Sequence, residues 1–379
     1  MGRGRIKPAW IANGKHDLLR AFVLLLSIPT LLFALVPDVQ PASRDDAESA
    51  SENKAKSKTT AKSLRLELEH SYHEAWRLVR DNTLFPDRLK NWNKWEHKYD
   101  GKIKNQNDLE KAVTAMLDEV SDQYTYFRNN NQTETVHAKD EQKGVVSYSR
   151  GPRNTGVITL SSFSSCNTAD ELENALRNLQ DTDGLLLDLR GNKGGYVEQA
   201  VEVYELLTDE GKFVSMKGRQ DGKPYLEEIV LEKSGTRRTV NGKTEYESRR
   251  SNLTGKKPLI VLVDSNTRSA AEMLAGALRE TRRARIAGCK TFGKGVVQNT
   301  WDLEPSCSIR ITMARYFLPD GKCINGSGIK PDIDIAFEQN AYAKEEPHAF
   351  KASSSKGKLA GNGGSSVETI LPDLIPNLM

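Results

Sequence analysis

The chain has 379 residues, with 55 lysines and arginines against 51 aspartates and glutamates, so its net charge is +4. This length exceeds that of one ordinary domain, and the near balance of charge gives no reason to expect a nucleic-acid partner. Hydrophobic residues make up 37% of the chain and the mean hydropathy is −0.59, which excludes a polytopic membrane protein. We therefore expect a folded core with appended segments.

The first segment, residues 1–36, has the pattern of an export signal. Basic residues precede an apolar run of 16 residues from Ala21 to Val36, and this run is closed by Pro37. Such a length lies between a signal-peptide core and a bilayer span, so a cleaved signal peptide and an N-terminal membrane anchor both stay open. The anchor is favoured because no well-formed cleavage site follows. Either reading predicts an exported protein, periplasmic or otherwise extracytoplasmic.

The next two segments differ in apolar pattern. Residues 37–62 are rich in Ser, Ala, Lys, Asp and Glu and have no apolar period, which predicts a flexible linker. Residues 63–130 are predicted to form an N-terminal helical region, because apolar residues recur at helical spacing over 64–81 and 107–120. Asn107 is placed to cap the second of these helices.

The histidines and cysteines show no metal-site pattern in the sequence. His70 and His73 share a helix face, yet no HExxH pattern or third ligand accompanies them, which favours a solvated or packing role. The four cysteines have no CxxC spacing, which argues against structural zinc. Cys307 and Cys323 flank a predicted strand pair, and both a disulfide and two free thiols stay open.

Residues 131–340 alternate apolar strands with amphipathic helices, and this order predicts an α/β core with crossover connections. Within it, the polar stretch 218–255 is predicted to be a hairpin insertion that projects from the core. Residues 341–379 are rich in Ser, Gly, Lys and Glu, which predicts a largely disordered tail. The predicted strands are 156–160, 184–189, 257–263 and 285–287, and the predicted helices are 169–179, 197–207 and 270–282.

Three motifs in this core carry candidate chemistry, and the first is DLRGNKGG, which ends at Gly195. A buried strand runs into three glycines and then into a helix, so backbone amides can approach a ligand at a helix end that favours negative charge. This arrangement suits an oxyanion hole. A plain strand-to-helix turn with glycine punctuation has the same pattern, so the motif alone does not decide.

The second and third motifs place a serine and a lysine in comparable turns. Ser269 begins a helix after the strand LIVLVD, where a nucleophile can be held, although Ser269 and Glu272 also form an S-x-x-E capping box. Lys294 lies between two glycines in an apolar turn, where burial would lower its pKa and let it act as a base. None of the six histidines lies in these motifs, so a Ser-Lys pair is more economical than a triad.

Together the three motifs resemble the carboxy-terminal processing proteases, also called tail-specific proteases, of serine peptidase family S41. The resemblance covers about residues 64–335 and includes the strings MLDEVSDQYTYF and ITMARYFLPDGKCINGSGIKPDIDI. It also includes the interval of 25 positions between Ser269 and Lys294 and the glutamine four positions later, Gln298. The resemblance implies an α/β fold with a ClpP/crotonase-like core of ββα units.

The resemblance also implies a role for each motif residue. Ser269 would be the nucleophile, Lys294 the general base and Gln298 the group that orients the lysine. The backbone amides of Gly195 and Ala270 would form the oxyanion hole. The implied protein is a serine endopeptidase that needs no cofactor or metal and cleaves protein or peptide substrates at apolar carboxy-terminal tails.

Two other functions stay open on the same core. A noncatalytic peptide-binding or scaffold protein would not need the Ser-Lys pair, since a fold does not fix activity. A crotonase-like enzyme acting on thioesters is a third interpretation, which an export signal disfavours because it separates the chain from cytoplasmic coenzyme A.

One feature of the family pattern is missing. Family members usually carry a PDZ domain before the core, but too few residues separate Phe127 from Gly156 to build one. The sequence therefore predicts a variant without a PDZ domain. Either the chain needs no peptide activator, or an adaptor or PDZ-bearing partner acts in trans.

Overall fold

The computed structural model describes residues 45–129 and 144–335. Contacts divide the chain into one unit that ends at Lys56 and a second that begins at Ser57. Of the first unit, only residues 45–56 are described, as part of a helix. The predicted signal or anchor and the predicted carboxy-terminal tail lie outside the described residues. Within the described part of the chain, no helix is both long and apolar enough to cross a membrane.

The helical region begins earlier than the apolar period indicated. Helix α1 spans Asp45–Asn82, so the predicted linker is helical from residue 45 onward, and the flexible assignment is wrong there. This stretch holds good helix formers such as Ala, Glu and Lys, and neither Gly nor Pro interrupts it. The predicted helix over 64–81 is confirmed as the second half of α1.

Two further helices complete this region, α2 (Asn93–Glu96) and α3 (Gln106–Leu117), with short 3-10 turns at Pro86–Arg88 and Asp118–Val120. The predicted second helix is confirmed, but its cap is Asn105 and not Asn107. Asn105 has an extended backbone, and its side chain accepts a hydrogen bond from the N–H of Asp108 at 3.0 Å.

A six-stranded sheet forms the centre of the core. Its spatial order is β13-β10-β9-β4-β3-β2, and every neighbouring pair is parallel except β2 with β3. β4 and β9 are buried at every residue, as expected for strands covered on both faces. The strands are β2 (Val146–Gly151), β3 (Thr155–Leu160), β4 (Gly184–Asp188), β9 (Leu259–Val263), β10 (Arg285–Gly288) and β13 (Ile333–Asp334).

A second, seven-stranded sheet has the order β1-β12-β5-β6-β7-β8, with β11 also paired to β12. Apolar residues of both sheets pack with three helices, α4 (Thr168–Asn178), α5 (Val197–Leu207) and α6 (Ala270–Glu280), in the main hydrophobic core. The predicted α/β architecture is confirmed. The strands of this sheet are β1 (Tyr126–Asn129), β5 (Gly211–Gln220), β6 (Lys223–Glu232), β7 (Gly235–Val240), β8 (Lys243–Glu247), β11 (Val296–Leu303) and β12 (Cys307–Phe317).

The helical region shares a separate hydrophobic cluster with this second sheet. Aromatic and aliphatic residues of α1 and α3 pack against Ile309 and Ile311 of β12 and Leu303 of β11. The indoles of Trp76 and Trp92 each donate to the other residue's carbonyl at 3.1 Å, which fixes α1 to the segment before α2. The helical region is therefore packed on the core and supports the strand pair β11–β12.

The predicted hairpin over 218–255 does not project from the core. β6 pairs with both β5 and β7, and β7 pairs with β8, so the stretch extends the second sheet as a meander. Alternate residues of β6 are buried, and among them Tyr225, Ile229 and Leu231 lie in the main core. The buried Arg238 of β7 forms an ion pair with the buried carboxylate of Glu227. Because the stretch 218–255 is polar on average, the alternation of buried and exposed residues along β6 was not recognised in the sequence.

The cysteines of the described segments are free, and Cys307 and Cys323 form no disulfide. Cys307 is buried in the cluster beneath the helical region, where its thiol donates to the carbonyl of Leu303 at 3.5 Å. Burial raises the pKa of the Cys307 thiol to about 12, so it behaves as a small apolar core residue.

Deleting residues 223–243 is expected to abolish stable folding. Each buried aliphatic side chain that is lost costs about 2 to 5 kcal/mol, which is a large share of the roughly 5 to 15 kcal/mol that stabilise a domain. Thermal unfolding followed by circular dichroism checks this. Tyr246→Ser, at a side chain 63% exposed, is the control and should leave the Tm unchanged. A deletion variant that melts at the normal temperature would restore the projecting-hairpin interpretation.

Candidate active site

Strand order brings the three motifs to one edge of the parallel sheet. The glycine-rich turn follows β4, the serine follows β9 and the lysine turn follows β10, and these strands are neighbours in the order β10-β9-β4. Because the carboxyl ends of parallel strands meet at the same edge, the turns that follow them converge there. The candidate site is therefore a product of topology, and its parts are spread over about 100 residues of sequence.

The glycine turn fits against its neighbours only because it lacks side chains. Gly195 has φ +151°, and a Cβ on it would lie 2.3 Å from the carbonyl carbon of Phe163. A Cβ on Gly194 would lie 2.8 Å from the Cβ of Ser269. The N–H of Tyr196 donates to the carbonyl of Phe163 at 2.9 Å, which fixes the turn. Among the described residues, the N–H of Gly195 has no acceptor, as an oxyanion donor requires.

A buried asparagine ties the glycine turn to the serine segment. Asn192 donates through Nδ2 to the carbonyl of Leu160 at 2.8 Å, and its Oδ1 accepts from the N–H of Gly194 at 2.8 Å. Its own carbonyl accepts from the N–H of Arg268 at 3.0 Å. Asn192 is fully buried, so these bonds are not exchanged with water. They hold the backbone immediately before Ser269 beside the turn.

Ser269 has an unusual backbone at the start of α6. Its φ and ψ are 59° and −124°, a conformation that costs a non-glycine residue free energy and that clusters at functional sites. The following residue, Ala270, is the first of the helix, so its N–H is one of those without an intrahelical acceptor. The serine side chain is partly exposed, and the geometry suits a nucleophile held at a strand-to-helix turn.

Glu272 joins the serine segment to the lysine turn. Its side chain is fully buried, and its two carboxylate oxygens accept four hydrogen bonds. Burial raises the pKa of Glu272 above its usual value, and these donors oppose that rise. The donors are the N–H of Ser269 at 3.0 Å, the hydroxyl of Thr291 at 2.5 Å, the N–H of Gly293 at 2.7 Å and the N–H of Lys294 at 2.9 Å.

This bridge limits how far apart the serine and the lysine can be. The backbone N–H groups of Ser269 and Lys294 donate to the same oxygen, Oε2, so their nitrogens are no farther apart than the sum of those two bonds. As the capping-box interpretation of S-x-x-E predicts, the Glu272 carboxylate accepts from the N–H of Ser269. Capping is only part of its role. The same carboxylate also fixes a turn more than 20 positions away.

Lys294 is held in a setting that disfavours its charge. Burial lowers the pKa of Lys294 to about 8, and the nearby cations Arg310 and Arg268 contribute to the shift. Its ammonium group lies over the ring of Tyr124, 4.9 Å from the ring centroid. The side chain of this lysine is partly buried, short of the full burial that the sequence suggested. Its pKa falls in the range where an amine can act as a base near neutral pH.

Gln298 lies near the lysine turn at an irregularity in the pairing of β11 with β12. Its Oε1 accepts from Nη2 of Arg310 at 3.3 Å, and its buried Nε2 has no partner among the described residues. No hydrogen bond joins Gln298 to Lys294 in the described part of the chain. Its role in orienting the lysine therefore stays a prediction.

Several residues of the site were not identified from the sequence. Tyr124 and Arg310 reach Lys294 from the helical region's end and from β12. Tyr124 lies in the string MLDEVSDQYTYF, but the sequence assigned no role to either residue. Asn192 lies inside the DLRGNKGG motif, but its contacts need the tertiary fold. The sequence marked Glu272 only as part of a helix-capping box. Its burial, which makes it a bridge between two turns, does not follow from the local pattern.

Comparisons with known proteins identify the family that this chain resembles. Residues 154–335 match the model of Peptidase family S41. The chain is 33% identical over 229 residues to a carboxy-terminal-processing protease of Bartonella bacilliformis, covering 57% of this chain and 48% of that protein. It is 36% identical over 193 residues to the carboxy-terminal processing protease CtpA of Bacillus subtilis, covering 50% and 36% respectively. The chain thus spans less than half the length of these relatives.

Solved structures support the fold. A photosystem II D1 C-terminal processing protease matches with a TM-score of 0.51 at 21% identity, covering 71% of this chain and 92% of that one. A lipoprotein from Streptococcus agalactiae matches with a TM-score of 0.53 at 16% identity and the same coverage. At these identities the likeness concerns the fold, and it confirms the fold class predicted from the sequence.

Glu272→Gln is expected to lower the free energy of unfolding by about 3 kcal/mol or more. The amide offers one accepting oxygen in place of two, which leaves buried donors unsatisfied. Equilibrium denaturation measures the change. Glu280→Gln on the same helix is the matched control, because its carboxylate is partly exposed and pairs with Arg279, a contact worth at most about 1 kcal/mol. Equal losses in the two variants would contradict the bridging role.

Proposed function

Since residues 154–335 form a peptidase family S41 domain, we propose that this chain is a serine endopeptidase that uses a Ser-Lys dyad. One observation carries the proposal. The Glu272 carboxylate anchors the backbones of Ser269 and Lys294 to each other, beside a glycine turn with an unengaged N–H at Gly195. Nucleophile, base and oxyanion donors are then neighbours, which is the minimum that acyl transfer needs.

The mechanism follows from these roles. Neutral Lys294 accepts the proton of the Ser269 hydroxyl while Oγ forms a bond to the substrate carbonyl carbon. The carbonyl electron pair moves onto oxygen, and the N–H groups of Gly195 and Ala270 stabilise that charge. The C–N bond then breaks, and Lys294 returns the proton to the leaving amine. A water molecule, deprotonated by Lys294, hydrolyses the acyl-enzyme in the same way.

The surroundings of the turn favour apolar substrates. Tyr196, which follows Gly195, and Phe292, which precedes Gly293, are 51% and 46% exposed. Large exposed aromatic side chains next to a candidate site are typical of surfaces that bind apolar partners. We propose that the substrates are apolar carboxy-terminal tails of exported or unfolded proteins, in line with the names of the two curated relatives.

The proposal extends to location and regulation. The pattern over residues 1–36 supports export, with anchoring by 21–36 as the favoured form. β1 ends at Asn129 and β2 begins at Val146, so the connection between them is short. That connection has too few residues for a PDZ domain, so we propose that the chain needs no peptide activator, with an adaptor or PDZ-bearing partner in trans as the alternative.

The alternative of a noncatalytic peptide-binding or scaffold protein is less consistent with two observations. A binding protein has no use for the strained backbone of Ser269, nor for a lysine whose pKa is lowered to about 8. Both features cost stability and are typical of catalytic sites. A direct activity measurement separates the two functions.

Ser269→Ala and Lys294→Ala are each expected to abolish hydrolysis of an unfolded reporter with an apolar carboxy-terminal tail. Both residues act in one proton transfer, so the double variant should be as inactive as either single variant. Initial rates measured with the full-length protein check this. Lys290→Ala, an exposed lysine on the same turn, is the control and should retain activity. Losses that multiply in the double variant would contradict a dyad.

The rate of hydrolysis should rise with pH through about 8. Lys294 must be neutral to accept the serine proton, and its pKa is lowered to about 8, so activity falls as the pH drops below that value. Two pH units below the midpoint, the rate should be about one hundredth of its maximum. Initial rates from pH 6 to 9.5 give the profile. A flat profile across this range would exclude a lysine base.

A further inference from the structure

Two histidines from different elements meet one carboxylate on the surface of the helical region. His73 lies on α1, His97 directly follows α2, and Asp100 lies in the turn before α3. Nε2 of His73 lies 3.0 Å from Oδ1 of Asp100, and Nδ1 of His97 lies 2.9 Å from Oδ2. The sequence showed no further metal ligand beside His70 and His73. The fold brings two candidate ligands, His97 and Asp100, to His73.

The spacing of these atoms matches the coordination sphere of a small metal ion. One donor atom from each of the three residues can be chosen so that all lie within 4.8 Å of one another. Tetrahedral zinc, with bonds of about 2.0 to 2.2 Å, needs ligand atoms roughly 3.3 Å apart. Each imidazole is already about that far from one Asp100 oxygen, but the two contacts use different oxygens. With a single Asp100 oxygen as ligand, the remaining separations have to close from at most 4.8 Å. Rotation of the exposed His97 side chain can supply that movement.

The backbone that carries these ligands is fixed to α1. The N–H of Gly101 donates to Oε1 of Glu69 at 3.0 Å, one turn before His73 on the helix. Gly101 itself has φ +71°, which lets the chain turn sharply after Asp100. The hydroxyl of Tyr72 donates to the carbonyl of Trp95, close before His97. The three side chains thus start from anchored positions, which lowers the entropic cost of binding.

Two nearby lysines have partners outside the cluster, whereas the guanidinium of Arg65 donates to the carbonyl of Gly101, next to Asp100. The ammonium group of Lys98 lies over the ring of Trp95, 3.7 Å from its centroid, and that of Lys102 donates to the carbonyl of Lys98 at 2.7 Å. The cluster itself is open to solvent, because the side chain of His97 is 73% exposed and that of Asp100 is 45% exposed. An ion can therefore enter, and water can complete its coordination.

We propose that His73, His97 and Asp100 bind a divalent late-transition metal ion, of which zinc is the representative. Imidazole nitrogens select such ions, whereas calcium and magnesium require more oxygen ligands than the single carboxylate provides. The bound ion joins α1 to the segment between α2 and α3. Its effect is to stabilise the helical region, because an ion that binds the folded state raises the stability of that state.

The test uses the full-length protein without a histidine tag, carrying Cys166→Ser to remove an exposed thiol and dialysed against a chelator. Zn²⁺ is titrated by calorimetry, and Co²⁺ by its visible absorption, which reports four-coordinate geometry. We expect one equivalent to bind and the Tm to rise by about 5 °C at a hundredfold excess over Kd. His97→Ala and Asp100→Asn should each raise Kd by about tenfold or more.

His70→Ala is the matched control, because His70 is an exposed histidine on α1 one turn before His73 and is not part of the cluster. It should bind Zn²⁺ with unchanged affinity. Circular dichroism of each variant without metal confirms that the fold is retained. Three results would overturn the proposal: no saturable binding, binding unaffected by His97→Ala and Asp100→Asn, or equal weakening by His70→Ala.

Discussion

The buried carboxylate of Glu272 is the interaction on which the candidate site depends. A fully buried carboxylate without hydrogen bonds would cost several kcal/mol, and here two turns supply the four donors that satisfy it. The Glu272 carboxylate therefore stabilises the fold only when the serine segment and the lysine turn are both in place. Positioning and stability are coupled in one group, and the strained conformation of Ser269 is held by the same bond.

Partial burial also lowers the pKa of the lysine. The pKa of Lys294 is lowered to about 8 because the side chain is partly buried and because Arg310 and Arg268 add positive charge. Arg310 belongs to β12, and its neighbours in that strand, Ile309 and Ile311, pack against α1 and α3. Tyr124, which faces the ammonium group, precedes β1 at the end of the helical region. The helical region thus contributes to the electrostatic environment of a site formed by the core.

The comparison of sequence and structure shows where local patterns were sufficient. The core strands and helices that the sequence predicted end within about two residues of the observed ones, because wholly apolar strands and strongly amphipathic helices are the clearest patterns. Strands β2, β5 and β11 were not predicted. The linker and the hairpin were the errors. Residues 45–62 are polar but rich in helix formers, and β6 buries one face although its average composition is polar. In both cases the prediction relied on the polar average composition. It neglected helix propensity in the linker and the alternation of buried and exposed residues in β6.

For the candidate site, the sequence predicted Ser269, Lys294 and the glycine turn through a family resemblance, because each local pattern alone left a structural alternative open. Proximity among these motifs was decided by the tertiary structure, through the strand order β10-β9-β4. The contacts of Glu272, Asn192 and Tyr124 were decided in the same way, as was the meeting of His73 with His97 and Asp100. The physical reason is that burial and hydrogen-bond partners are properties of pairs of segments distant in sequence, and a local pattern records only one member of each pair.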